Sequence, residues 1–367
     1  MINRTLYSLG VSYSRIPFCS SHLHLVNFFS IKSFESVFFG QTNIHVFQSR
    51  FSKNLGRVYT SSVDYTRYYS RIQPSSSVSF VSCLFLNVLS PGFVGSAIYF
   101  STSNGILNIS RSTFINCSNS GNFRGTVACL SSNSFYARST CFKNCIGSCP
   151  GVYLSSISYT YFEFINQIDG ISVSTNNDDI GDLFSGINQM AIQHNNVTNF
   201  RITSVTNHGS LWWFYQCTNS ECFRYNTASD CIAESFFGLN LGGSKPVFST
   251  NNLINNNVSC LFTLCCSNGE VTILNSVFLG STPSKQYFKN DRTIPITFSN
   301  CFFSFPYSAS LFNGFSTQNC YFSTQAQPNQ NTLFNKEMCA GYSPEVTFLK
   351  KPLYTIHFFL KYFMLSG

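Results

Sequence analysis

Apolar and polar residues alternate along most of the chain in short runs broken by Ser, Asn or Gly, which predicts strands with one face buried. No stretch carries the spacing of about 3.6 residues that marks an amphipathic helix. The runs also repeat. Leu107, Ile109, Arg111, Ser112, Thr113, Phe114, Ile115, Asn116 and Cys117 reappear 28 residues later as Phe135, Ala137, Ser139, Thr140, Cys141, Phe142, Lys143, Asn144 and Cys145. Val78, Phe80, Ser82, Cys83, Leu84, Phe85, Leu86 and Asn87 have the same form upstream. A Phe-x-Asn unit thus recurs as Phe85/Asn87, Phe114/Asn116, Phe142/Asn144 and Phe164/Asn166. Between these units a Gly opens a second small-and-apolar strand, at Gly95, Gly125 and Gly151. Beyond a less regular middle the pattern returns around Val271, Ile294 and Gln318, with a period shortened to 20–25 residues.

A unit of this length is too small to bury its own apolar face, so it must stack on neighbours about 4.8 Å away and share one continuous core. The expected fold is therefore all-β, a right-handed parallel β-helix of about ten irregular rungs. Inward Phe side chains should stack, and Asn at the corners should form amide ladders while tolerating the left-handed backbone of a sharp turn. The Leu-based signature of leucine-rich repeats is absent, as are blades of propeller length. The organisation expected is irregular N-terminal rungs or a cap over 1–77, a repeat domain over 78–325, and a C-terminal cap or tail over 326–367.

Composition supports this reading. Only 10% of residues are charged, and Phe occurs 40 times, a choice suited to strands rather than to helical surfaces. The net charge of +8 is carried by scattered Lys and Arg with no basic run, which argues against a nucleic-acid partner. Sixteen cysteines show neither paired CxxC spacing nor a His-x3-5-His partner, so no metal site is expected. Several, notably Cys117 and Cys145, hold equivalent repeat positions and are expected to be mostly unpaired, stacked thiols. Ser and Arg interrupt any apolar leader near the N-terminus. The apolar stretch Thr355 to Leu365 contains Lys361 and is too short to span a bilayer.

The alternation of Gly95-Ser96-Ala97-Ile98 with Phe51-Ser52-Lys53-Asn54 and Phe223-Arg224-Tyr225-Asn226, together with the looser Phe-x-Asn copies, resembles known repeats. It is similar to the repeats of chlamydial polymorphic outer-membrane proteins and of right-handed β-helix surface proteins of parasitic protists such as trichomonads. The resemblance covers roughly residues 78–325. It implies an adhesin-like protein at the cell surface or outside the cell, with a protein or glycan partner and no cofactor.

Two other functional classes compete with a noncatalytic scaffold. Asp169-Gly170, the pair Asp178 and Asp179, and His208-Gly209 follow the order of acidic and His residues in polygalacturonases. Paired acids there would supply a proton donor and a base for water, with His208 orienting them. No Arg-x-Lys motif follows, and the stretch from Asn177 to Asp182 reads equally as a solvated loop. A structural protein or degenerate-gene fragment without a binding role is the third class. Trp212 and Trp213 offer a carbohydrate platform, yet alternation sends one of them inward. His22 and His24 share a strand face but have no third ligand nearby in sequence. Sequons stand at Asn3, Asn108, Asn116, Asn196 and Asn257, of which Asn116 should be committed to the corner ladder.

Overall fold

A strand that turns a sharp corner without a loop needs a residue able to adopt the left-handed conformation. The computed structural model meets that need at two bends per rung. It describes residues 16–17, 22–26, 38–39, 43–47, 50–52, 58–60, 77–91, 95–102, 104–120, 125–130, 132–155, 157–173, 180–203, 209–215, 223–240, 245–264, 269–280, 295–307 and 315–323. All secondary structure among them is strand, paired in parallel, and the chain is a parallel β-helix.

Each regular rung contributes to three walls. In the first, Ile106–Ser110 lies between Ser77–Val81 and Ser134–Arg138. The second is a stack of eleven strands of two or three residues, from Arg50–Ser52 to Tyr321–Phe322. The third holds Ile98–Ser101, Val127–Leu130 and Val152–Ser155. The ladder crosses the expected boundary at 77/78 without a break, since Ile44 pairs with Val78 and Leu23 with Ile44.

The first bend places Ser82, Arg111, Ser139, Phe164, His194, Tyr225, Thr250, Asn275, Asn300 and Asn319 at φ between 48° and 58°. The second places Asn87, Asn116, Asn144, Asp169, Asn199, Asp230 and Asn255 at φ between 50° and 56°, and Gly280 at 65°. The two bends of a rung are five residues apart, as in Arg111 and Asn116. The second bend uses Asn, Asp and Gly throughout, the residues that tolerate this conformation best.

Several units at both bends share one build: an inward strand residue, an outward one, the left-handed residue, then a buried short side chain. Phe114, Ile115, Asn116 and Cys117 make one such unit, and Phe80, Val81, Ser82 and Cys83 another. The last side chain reaches back to a carbonyl of the preceding rung that the bend would otherwise leave without a donor. Cys117 Sγ donates to the Phe85 oxygen at 3.7 Å, Ser112 Oγ to Phe80 at 3.3 Å and Asn226 Nδ2 to Ile192 at 3.2 Å. Thiol, hydroxyl and amide are interchangeable here because each is a short donor. This accounts for the equivalent cysteines. Cys83, Cys117, Cys129, Cys145, Cys149, Cys231, Cys301 and Cys320 form no disulfide, as the stacking argument expects, while Cys141 is disulfide-bonded.

The core carries the expected aromatic stack. Phe85 and Phe114 lie 4.4 Å apart and Phe114 and Phe142 4.8 Å apart, both pairs within 8° of parallel. The stack resumes at Phe278, Phe303 and Phe322. Between these runs the same position holds Gln167, Val197, Ala228 and Leu253. Buried Trp212 helps fill the space thus opened, packing against Phe223 at 5.0 Å and Phe237 at 5.6 Å.

Three expectations are corrected. Phe164 and Asn166 do not continue the Phe-x-Asn ladder, because Phe142 pairs with Gln167 and Phe164 occupies the first bend instead. The same tripeptide fits either bend, so the string alone does not fix its place. The motifs Phe51-x-x-Asn54 and Phe223-x-x-Asn226 likewise start on different walls, whereas Phe248-x-x-Asn251 is a true counterpart of the latter. Gly95, Gly125 and Gly151 each precede a strand of the third wall, and Gly95 and Gly125 have φ of 75° and 81°, where an added Cβ would lie within 2.6 Å of a main-chain oxygen. Asp182, read as part of a loop, lies within the strand Ile180–Gln193.

Candidate functional site

Outward side chains at the two bends differ in how far they satisfy one another. At the first bend, Phe164, His194 and Tyr225 stack at 5.1 and 4.9 Å. Beside them Arg138 pairs with Glu163 at 2.9 Å, Gln193 donates to Glu163 and Tyr161, and Arg224 donates to Gln193. This surface is occupied by its own contacts. Burial in the stack holds the His194 imidazole below its ordinary range, with Glu163 opposing and Arg224 assisting.

The second bend is less complete. Asn116 Nδ2 donates to Asn87 Oδ1 at 2.9 Å and Asn144 Nδ2 to Asn116 Oδ1 at 3.2 Å, so the amides point one way along the axis. Asn199 Nδ2 donates to Asp169 Oδ1 at 2.7 Å. With its Nδ2 turned to Asn116, Asn144 makes no hydrogen bond to Asp169 among the described residues. Asn199 stands one rung from Asp169 on one side and one from Asp230 on the other. An amide donates from one end only, so whichever way Asn199 turns, its oxygen faces a carboxylate.

At this break in the ladder lies a shallow concavity of about 320 Å³, lined by Asn144, Ile146, Asp169, Ile171, Asn199 and Arg201. Ile146 and Arg201 belong to an outward row two residues beyond the bend, which also exposes Leu89 and Ile232 at 38% and 41%. Arg201 is exposed, and its guanidinium makes no ion pair or hydrogen bond among the described residues. Open acceptors, one open guanidinium and an aliphatic shelf therefore meet in a single recess. Sequence reasoning placed Asn144 in the ladder and singled out Asp169, but did not bring in Ile146, Ile171, Asn199 or Arg201. The signal available was the chemical class of residues 144, 169, 199 and 230 once aligned by bend.

The other candidates fall elsewhere. Asp178, Asp179 and His208 lie outside the described residues, as do residues 326–367. Asp169 has a structural role of its own, since it occupies the same left-handed position as Asn144 and Asn199. Trp212 is fully buried and offers no platform. His24 pairs in register with His45 on the neighbouring rung, and no group of three metal-ligating side chains occurs among the described residues. Asn196 is buried, whereas Asn108 is partly exposed and Asn257 exposed; Asn116 is held in the ladder as expected. No described helix is long and apolar enough to cross a membrane. No family model matches the sequence, and neither a curated protein nor a solved structure matches the chain.

Proposed function

We propose that the protein is a noncatalytic repeat scaffold, adhesin-like in character and acting at a surface or outside the cell, whose second bend is its binding face. The observation that carries this reading is the contrast between the bends. One is closed by its own aromatic stack and ion pair, while the other presents more acceptors than donors around Asp169, together with Arg201 and exposed Leu89, Ile146 and Ile232 along the axis. Unsatisfied polar groups beside aliphatic side chains are what a partner's surface can complete. The left-handed ladder position gives Asp169 a reason to be present without chemistry, which favours a scaffold over a polysaccharide-cleaving enzyme.

The test is a binding screen of the purified chain against arrayed glycans and candidate surface proteins, run beside a reducing-sugar release assay on polygalacturonate. Binding without release is the expected result. Release that is abolished by Asp169→Asn or Asp179→Asn would make the protein a glycosidase or lyase instead.

A further inference from the structure

Resting on that reading, we infer that the partner is a neutral, hydroxyl-rich polysaccharide lying along the second bend, with one sugar ring seated in the recess between Asn144 and Arg201. Three independent features select this chemistry.

The first is the hydrogen-bond polarity of the ladder. Asp169 accepts from Asn199 while Asp230 stands one rung beyond, and Asn199 cannot donate to both carboxylates, so acceptors outnumber donors here. Such a site calls for a ligand group that donates to the acceptors and can also accept from Arg201. A hydroxyl does both, whereas a metal ion would satisfy only the oxygens. Vicinal hydroxyls on one ring can reach two acceptors and the guanidinium together.

The second is charge. Asp169 and Arg201 bring one negative and one positive group to the recess, so its net charge is zero. A uronate or sulfated chain would gain at Arg201 and lose at Asp169, while a polyamine would do the reverse. A neutral sugar meets neither penalty, and Ile146 and Ile171 give its C–H face an aliphatic floor.

The third is pitch, which separates glycans from peptides. Rungs repeat every ~4.8 Å, while an extended peptide advances ~3.4 Å per residue. A peptide laid along the axis loses register within a residue or two. An extended pyranose chain advances by close to one rung per sugar, so successive rings meet successive rungs. The exposed row at Leu89, Ile146 and Ile232 runs in that direction.

The experiment is calorimetric titration of the full chain with cello-, xylo- and manno-oligosaccharides of increasing length, with polygalacturonate as the charged control. At least one neutral series should bind, with affinity rising with length. Arg201→Ala should weaken that binding by tenfold or more, the loss expected for a charge-assisted hydrogen bond. Asp169→Asn should weaken it similarly while leaving the melting temperature unchanged or higher. Asn keeps a side chain suited to the left-handed ladder position that Asn144 and Asn199 also hold, so lost binding at an unchanged melting temperature cannot be ascribed to misfolding. Binding unaffected by either variant, tighter binding of polygalacturonate, or binding of protein partners alone would overturn the inference while leaving the scaffold reading intact. Silence across every neutral series would also overturn it. Release of reducing ends would instead sink the scaffold reading itself.

Discussion

The side-chain oxygen of Asn226 takes two hydrogen bonds from Asn195 on the preceding rung, one from its main-chain N–H and one from its Nδ2, both at 3.0 Å. The same residue donates its own Nδ2 to the carbonyl of Ile192 at 3.2 Å. One buried amide thereby serves both main-chain groups that the first bend removes from the strand ladder.

Replacing it should be costly in a chemically specific way. Asn226→Ala leaves a buried N–H and a buried carbonyl without partners and should destabilise by about 2–4 kcal/mol. Asn226→Cys should lose much less, because Cys83, Cys301 and Cys320 make the equivalent bond to a carbonyl elsewhere in the chain. Urea midpoints of the two variants measure the difference, and equal losses would contradict the interchangeability of the donors.

Gly170 is small for the sake of Phe200. A Cβ at this position would lie 2.7 Å from Cδ2 of the buried Phe200 ring, well inside van der Waals contact. Gly170→Ala should cost about 1–3 kcal/mol through overpacking. Combining it with Phe200→Leu should recover part of that loss, so thermal denaturation of the single and double variants reads a coupling rather than a sum.

The stacked His194 makes a signed prediction about pH. Burial lowers its folded pKa below that of an ordinary imidazole, so the unfolded chain binds the proton more readily. Its contribution is therefore complete above the unfolded pKa and is lost as pH falls through the folded value. The facing charges of Glu163 and Arg224 act on it in opposite directions. Stability measured at about pH 7.5 and about pH 5 should fall more for the natural chain than for His194→Gln. Identical slopes would show that the imidazole is not held in the stack.

Thiol chemistry should sort the described cysteines by depth. Burial pushes Cys129 up to about 12, so it should resist alkylation in the native state. Cys320 is only half buried, and its hydrogen bond with Cys301 holds it below the ordinary thiol range. Brief native-state treatment with iodoacetamide followed by peptide mass mapping should modify Cys320 before Cys117, Cys129 or Cys231. Earlier labelling of any of those three would place it outside the core.

Much of the fold is legible in the sequence because stacking forces like residues into register. Phe85, Phe114 and Phe142 repeat at the spacing of the rungs, and their Asn partners mark the second bend by the residue type a left-handed corner tolerates. Phe164 misleads for a physical reason: both bends share the order inward, outward, left-handed, so Phe-x-Asn is compatible with more than one register. The middle rungs hide their kinship because Gln167, Val197 and Ala228 replace Phe while distant Trp212 supplies volume, an exchange no local string displays. The recess at Asp169 was half visible. Its carboxylate stood out among amides only after residues 30 or so apart were aligned, and Arg201 carries no motif at all.

The constancy of the five-residue step between bends has a bearing on how such a chain can change over time. Whole rungs differ in length, with 31 residues separating Asn195 from Asn226 and 19 separating Thr297 from Ser316, yet the step from Arg111 to Asn116 recurs from Ser82 to Asn87 and from Asn275 to Gly280. All of that variation is absorbed outside the paired bends. Gains and losses of codons are thus confined to the stretch leading through the third wall, where they alter loops without moving an amide or a thiol out of line. A gene of this design can drift in length and still specify the same spine.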